Sequence, residues 1–269
     1  MSTGGNETGD SGSREKDLRA VNCPRHVGII MDGNNRWARA RNLPGIAGHR
    51  AGVEAIRSVL QCCDDNGVEA LTLFAFSSEN WQRPENEVSG LMRLFLSYLR
   101  KEVTALHQQG IRLRFIGRRD RLSPVIVRQM EQAEELTRNN GKRTLVLAVD
   151  YGGRWDVVNA ATQLAKESSS EGCHEEDFDA HVSTAGLPTL DLCIRTGGEY
   201  RISNFLLWQC AYAELYFTDC YWPDFDEAQM SLALQEFSSR QRRFGRTQEQ
   251  LEADSSAGQG GLDTSAGNA

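Results

Sequence analysis

No CxxC pair occurs among the seven cysteines, Cys23, Cys62, Cys63, Cys173, Cys193, Cys210 and Cys220. Their odd number and their spacing match neither a zinc site nor the disulfide framework of a small secreted domain, so a reducing cytoplasm is the expected compartment. No run approaches the length needed to cross a bilayer, and the opening MSTGGNETGDSGSREKD lacks the apolar segment of a signal peptide. Work at a membrane is therefore expected only from a surface, peripherally at the inner face. Basic residues are in deficit, 30 against 37 acidic ones for a net charge of -7, which gives no support for broad binding to nucleic acid. GxxxxGK[ST] and GxGxxG are both absent, which sets aside a P-loop and an ordinary dinucleotide site.

What is present suits a substantial buried core, with 39% hydrophobic residues in 269. Residues 1–22 and 247–269 are rich in small and polar side chains and read as disordered tails around one domain at 23–246. Inside it, short apolar runs alternate with helical spacing. HVGIIM and residues 70–76, 111–116, 144–149 and 190–194 are predicted strands. Val53, Ile56, Leu60 and Cys63, then Val88, Leu91, Met92 and Phe95, and finally RWDVVNAATQLAKE, are predicted helices. Strands separated by helices imply an α/β fold with a mostly parallel central sheet flanked by helices.

Ligands of such sheets sit beyond the carboxyl ends of the strands. Four predicted strands run into polar, glycine- or serine-rich stretches: DGNNR, SSENWQR, DYGGR and RTGGE. Asp32 in the first suits Mg²⁺, a hard cation that bridges a carboxylate to phosphate, and equally suits a carboxylate accepting helix amides. Gly33 lets a ligand approach the backbone, Asn34 and Asn35 can orient loops, and Arg36 can pair with phosphate oxygens. In GHRAG, His49 is expected just before a helix beginning near Ala51, where exposed amides favour an anion. Ser77, Ser78, Glu79 and Asn80 supply small polar groups, with Trp81 and Arg83 beside them. Arg195, Arg201 and Ser203 suit a second diphosphate. Glu214 reads either as a helix-surface carboxylate or as a partner of Asp32 on one metal if its helix folds back. The stripe in NEVSGLMRLFLSYL is ordinarily core, and would line a channel in an enzyme that handles lipid. Two arginine groups, one at Arg36, Arg39, Arg41 and Arg50 and one at Arg112, Arg114, Arg118, Arg119 and Arg121, suit either an anionic ligand or a solvated face.

Taken together, MDGNNRWA, GHRAG, LTLFAFSSENWQRP, DYGGRWD, IRTGGEYRISNFLLWQ and YAELYFTDCYWPDFDE resemble the cis-prenyltransferase family, most closely its bacterial undecaprenyl diphosphate synthases. The resemblance spans roughly residues 24–245, and no DDxxD motif of the trans enzymes is present. It implies a homodimer with a hydrophobic tunnel, Mg²⁺ as cofactor, and repeated cis addition of isopentenyl diphosphate to farnesyl diphosphate, giving the carrier lipid of cell-wall sugars. Product release is expected to involve transient contact with a membrane surface. By the same resemblance, Asp32 is the metal-associated aspartate and Asn80 a residue assisting proton removal. Gly33, Asn34, Asn35, Arg36, Trp37, Gly45 and His49 fall in the starter region, and Ser77, Ser78, Glu79, Trp81 and Arg83 on the substrate loop. Arg195, Arg201, Ile202 and Ser203 hold isopentenyl diphosphate, and Glu214 is a metal-associated glutamate contributed across the dimer. A shorter-chain synthase and a noncatalytic partner subunit are the alternatives. Three positions depart from the family pattern. Asn35 replaces a glycine, Gly45 stands where an arginine is common, with Arg41 or Arg39 as the expected substitute, and Tyr200 replaces a histidine.

Overall fold

Strand β1 (His26–Ile30) is buried along its whole length and sits near the middle of a six-stranded sheet in the order β3-β4-β2-β1-β5-β6. Its neighbours are β2 (Ala70–Ser77) and β5 (Leu192–Arg195); β4 (Arg143–Tyr151) and β3 (Ile111–Ile116) extend one side and β6 (Glu214–Phe217) closes the other. All pairings are parallel. The computed structural model describes residues 23–167 and 174–240. The two expected tails, the last residues of the expected domain, 241–246, and Cys173 lie outside the described residues.

Parallel strands need helical crossovers, and the apolar spacing supplies them. Helix α1 (Asn34–Ala40) and helix α2 (Gly45–Asp65) join β1 to β2; α3 (Glu85–Gln108) precedes β3; α4 (Pro124–Thr137) follows it; α5 (Gly153–Glu167) follows β4. Two further helices, α6 (Glu175–Asp179) and α7 (Glu227–Ser239), flank the last strands. Alternate strand residues face opposite layers. Leu145, Leu147 and Val149 of β4 join the larger core with α2, α3, α4 and α7, while Val146 and Ala148 join a smaller one with Phe205 and Leu206. Each such side chain fully buried contributes about 1.5–3 kcal/mol.

The chain leaves β1 toward β2 and later returns on its other side as β5, so the strand order reverses at β1 and opens a crevice beyond its carboxyl end. Several boundaries differ from the expectation. Arg195 closes β5 instead of following it, and β4 runs on through Asp150 and Tyr151. Helix α2 starts at Gly45, six residues before the expected Ala51, so Gly48 and His49 lie inside it and its free amides lie upstream of them. Strand β6, which sequence periodicity does not reveal, carries Glu214 as its first residue, correcting the helical placement of that carboxylate.

Candidate active site

Asp32 is fixed from several directions. Its N–H donates to Ile30 O at 3.0 Å and to Thr196 Oγ1 at 2.9 Å, and its carbonyl accepts from Thr196 Oγ1 at 2.8 Å and from Trp222 N at 2.9 Å. The backbone then turns through Gly33 at φ 99°, where a Cβ would lie 2.6 Å from the ring of Tyr221. The side chain is held as firmly: Oδ1 accepts from Gly33 N at 2.6 Å and meets Arg36 Nη2 at 3.2 Å, and Oδ2 accepts from Arg195 Nη2 at 2.9 Å. Partial burial pushes the carboxyl up, but the Arg195 and Gly33 hydrogen bonds and the Arg36 charge outweigh it and hold Asp32 below the ordinary carboxylate range.

Arg195, 5% exposed, also donates Nη1 to Arg201 O at 2.5 Å and to Ser203 Oγ at 2.6 Å. This gathers the two expected diphosphate groups around one carboxylate. Arg201 points its guanidinium at Glu199, 2.6 Å away, and Arg36 Nη1 lies 3.6 Å from the same residue. Ile202 is half-buried against the smaller core and serves the loop's packing.

Ser78–Gln82 forms a 3-10 turn, with Ser77 capping the N–H of Asn80 and Asn80 Oδ1 accepting from Ser77 N at 3.1 Å. That bond directs the Asn80 amide oxygen to the turn and leaves its NH₂ as the group to offer a ligand. Glu79 accepts from Asn204 Nδ2 at 3.0 Å; despite the upward push of burial, this bond and those from neighbouring serines hold its carboxyl low. Trp81 stands edge-on to Phe76 with ring centroids 5.2 Å apart.

Behind this rim is a cavity of about 210 Å³. Asp32, Arg36, His49, Asn80 and Arg83 line its polar end; Leu91, Met92, Phe95 and Tyr98 of α3 and Leu147 and Val149 of β4 line its apolar end. The α3 stripe is thus both core and cavity wall. Irregular pairing of β2 around Phe74 and Phe76 leaves Ala75 out of step, and it lines the cavity too. Burial, reinforced by the Arg83 charge, lowers His49 to about 4, so its imidazole is neutral near pH 7.

Among the described residues, five buried side-chain nitrogen or oxygen atoms lack a partner; Asn34 Oδ1 and His49 Nε2 belong to residues lining the cavity and Arg195 Nε to the guanidinium paired with Asp32. An unmade buried hydrogen bond costs about 1–3 kcal/mol, and such a concentration marks a place where a polar ligand completes the set.

Some expected residues are not brought to the cavity. Trp37 donates Nε1 to Asp224 at 2.7 Å, and Arg41 stacks over Trp37, 4.2 Å from its ring centroid, while pairing with the same aspartate. Neither Arg41, paired with Asp224, nor the exposed Arg39 lines the cavity. The DYGGR stretch supports the rim from behind. Asp150, fully buried at φ 51°, takes a two-point contact from Arg121, and the turn at Gly152 packs under Ser78 and Asn204. In the second arginine group, Arg118, Arg119 and Arg121 pair with Asp120, Glu134 and Asp150, and Arg114 on β3 donates to the carbonyls of residues 183 and 185. Glu214, at the amino end of β6, pairs with Arg240 at 2.9 Å. The register sets Phe217, not Glu214, beside Arg195, so within one chain Glu214 is a strand length away from Asp32. Tyr200 is exposed and packs on Phe217. Thr196, Asn204 and Trp222 were not singled out in the sequence; their signal is only their position in the strand-end loops.

A parallel α/β fold with arginines, a carboxylate and unpaired polar atoms at the mouth of an apolar cavity defines a class of protein that takes a ligand anionic at one end and greasy at the other. The chain belongs to the prenyltransferase family whose model is described as "Putative undecaprenyl diphosphate synthase", which matches residues 30–245. The resemblance seen in the motifs is borne out by relatives. The chain is 57% identical over 245 residues to the ditrans,polycis-undecaprenyl-diphosphate synthase, (2E,6E)-farnesyl-diphosphate specific, of Pseudomonas aeruginosa, spanning 89% of this chain and 98% of that one. It is 54% identical over 239 residues to an isoprenyl transferase of Neisseria gonorrhoeae, spanning 89% and 96%. Among solved structures, lavandulyl diphosphate synthase from Lavandula x intermedia, in complex with dimethylallyl diphosphate, superposes with a TM-score of 0.81 at 36% identity, covering 84% of this chain and 100% of that one.

Proposed function

We propose that this prenyltransferase adds isopentenyl diphosphate repeatedly, in cis, to farnesyl diphosphate and so makes undecaprenyl diphosphate, the lipid carrier precursor for cell-wall sugars. The observation that carries the reading is the Asp32–Arg195 pair at the cavity mouth, which ties the Gly33–Arg36 turn to the Arg201–Ser203 loop. The starter diphosphate rests against Gly33, Arg36 and neutral His49, with its hydrocarbon among the α3 side chains. Isopentenyl diphosphate is held by Arg195, Arg201 and Ser203. Two anions bound on either side of one carboxylate bring the alkene beside the starter's reactive carbon, and the arginines stabilise charge gathering on the departing diphosphate. Asn80 orients the nearby diphosphate through its NH₂; a diphosphate oxygen, more basic than an amide, accepts the proton lost on carbon-carbon bond formation.

The residues fit Mg²⁺. That ion is commonly held by one or two carboxylates plus substrate phosphates, and Asp32 is a half-exposed carboxylate at the mouth whose contact to Arg36, at 3.2 Å, is the looser of its two arginine pairs. When bound, the ion neutralises charge on the leaving group. In a homodimer, Glu214 would come to this site from the other copy.

Each cycle buries five more carbons at about 0.8 kcal/mol per CH₂ equivalent, which makes unaided escape of a long product slow. No described helix is long and apolar enough to cross a membrane, and we assign release to transient contact of a cytoplasmic enzyme with the membrane surface. Faster multiple turnover with detergent is expected; equal steady-state rates while long product accumulates would refute this release step. The cavity of about 210 Å³ lies below the ~300–1,000 Å³ of ordinary ligand pockets, so the growing chain must widen it as the product lengthens. One experiment decides both points. Farnesyl diphosphate, labelled isopentenyl diphosphate and Mg²⁺ are incubated with the protein, and products are analysed by mass and double-bond geometry. Absence of any elongated product overturns the function, and the mass series sets the chain length.

A further inference from the structure

Asn35, in the first turn of α1, and Gly45, the first residue of α2, face one another. A Cβ built at Gly45 overlaps Asn35 Oδ1, and its next neighbours, at 3.3 and 4.0 Å, are Cγ and Nδ2 of the same side chain. The backbone of Gly45 is helical, so no unusual φ calls for glycine; what calls for it is the seat of Asn35. From that seat Asn35 Nδ2 donates to Glu87 Oε1 at 3.3 Å, and the same oxygen accepts from Arg83 Nη1 at 2.9 Å. Asn35, Arg83 and His49 all line the cavity mouth, and the charges of Arg83 and Glu87 act on His49 in opposite senses. Asn35, Arg83 and Glu87 thus come from α1, from the end of the 3-10 turn and from the start of α3.

A carboxylate held only by Arg83, four residues earlier in sequence, is free to swing outward and take the guanidinium with it. A second donor from across the mouth removes that freedom. The bare Cα of Gly45 leaves room for the Asn35 amide in this orientation, and a Cβ there would push Oδ1 aside and with it the amide whose Nδ2 faces Glu87.

We propose that Asn35, seated on the bare Cα of Gly45, is a positioning residue that holds Glu87 and through it keeps Arg83 at the cavity mouth to receive the starter's diphosphate. The pair Asn35 and Gly45 is then a determinant of affinity for the allylic substrate and not for isopentenyl diphosphate. This rests on the starter placement proposed above.

The test is calorimetric titration of the full chain with farnesyl diphosphate, without isopentenyl diphosphate so that no turnover occurs, for Asn35→Gly, Gly45→Ala, the double variant and Asn35→Leu. Loss of one hydrogen bond to a charged group predicts about tenfold weaker binding for each single variant. In the Asn35→Gly background, Gly45→Ala meets no side chain and should cause no further loss. Asn35→Leu, which fills the seat without donating, should match Asn35→Gly. The KM for isopentenyl diphosphate should stay within about twofold of wild type throughout. Multiplied losses in the double variant, unchanged starter affinity in Asn35→Gly, Asn35→Leu binding like wild type, or equal weakening for both substrates would overturn the inference. A wild-type chain that makes no elongated product overturns the starter reading itself; a wild-type chain that elongates while the variants combine multiplicatively overturns only the role of Asn35 and Gly45.

Discussion

Replacing Asp32 by Asn keeps the shape of the side chain and removes its charge. In the folded chain that charge sits 2.9 Å from Arg195 and 3.2 Å from Arg36, so Asp32→Asn leaves two guanidinium groups at the mouth without their carboxylate. Two consequences follow, of opposite sign. Turnover with Mg²⁺ should fall by at least about a hundredfold, the scale for losing one preorganised electrostatic contact in a reaction of this kind. Metal-free binding of inorganic diphosphate should instead become tighter. Unit charges about 4 Å apart at an effective dielectric near 20 interact by about 4 kcal/mol. With the Asp32 side chain 32% exposed, solvent screening reduces this to about 1–2 kcal/mol, or roughly tenfold in affinity. Calorimetric titration with inorganic diphosphate in EDTA, beside steady-state turnover in Mg²⁺, reads both effects. Retention of more than a tenth of wild-type turnover, or weaker metal-free diphosphate binding, would refute the placement of Asp32 between the two arginines.

Gly48→Ala drives a Cβ into the backbone carbonyl of Asn34, which no rotamer change relieves. A loss of about 1–3 kcal/mol in urea unfolding is expected, and an unchanged midpoint would show that α1 and α2 separate freely. Leu147→Phe narrows the apolar end of the cavity from the sheet side. Its products should be shorter by mass, at a stability cost of about 1–3 kcal/mol; an unchanged product series would place the growing chain elsewhere. For pH, the His49 imidazole has an ordinary value of 6.5 and is lowered to about 4 by burial and Arg83, so between these values the unfolded chain binds more protons and stability rises with pH. The gain across that window is about 3 kcal/mol, and His49→Gln should remove it. Buried His26, lowered by the same cause, adds a term of the same sign that persists in the variant. Asp32 acts in a lower range: its stabilisation is present above the unfolded carboxylate value and is lost as pH falls through its depressed folded value. Urea midpoints at pH 5 and 7.5 that differ equally in wild type and His49→Gln would contradict the neutral buried imidazole.

Much of the fold was legible because buried parallel strands are continuous apolar runs, as in HVGII, and their crossover helices show their spacing directly. Strand β6 was not, because ELYF is a short, partly exposed edge segment whose place depends on pairing with β5. Helix α2 begins earlier than the expected Ala51 because proline is tolerated just before a helix and Gly45 leaves room for Asn35, neither of which apolar spacing shows. Arg195 and Asp32 were legible as site residues from their strand ends. That Arg195 bonds Asp32 and the 201–203 loop at once was not, since hydrogen-bond partners so far apart in sequence leave no local pattern.

The amino-acid sequence by itself determined the parallel α/β architecture, the polar strand ends that carry the chemistry, and membership in a family, since these rest on apolar period and on motifs a few residues long. Only the tertiary structure decided which of those polar residues meet. Trp37 and Arg41 turn to Asp224, Asp150 is spent on Arg121, and Glu214 sits at the far end of its strand, while Asn35, Gly45, Glu87 and Arg83 close into one cluster. The reason is geometric: side-chain direction at a strand end or helix start depends on the packing of neighbouring elements, and that packing is a property of the whole chain.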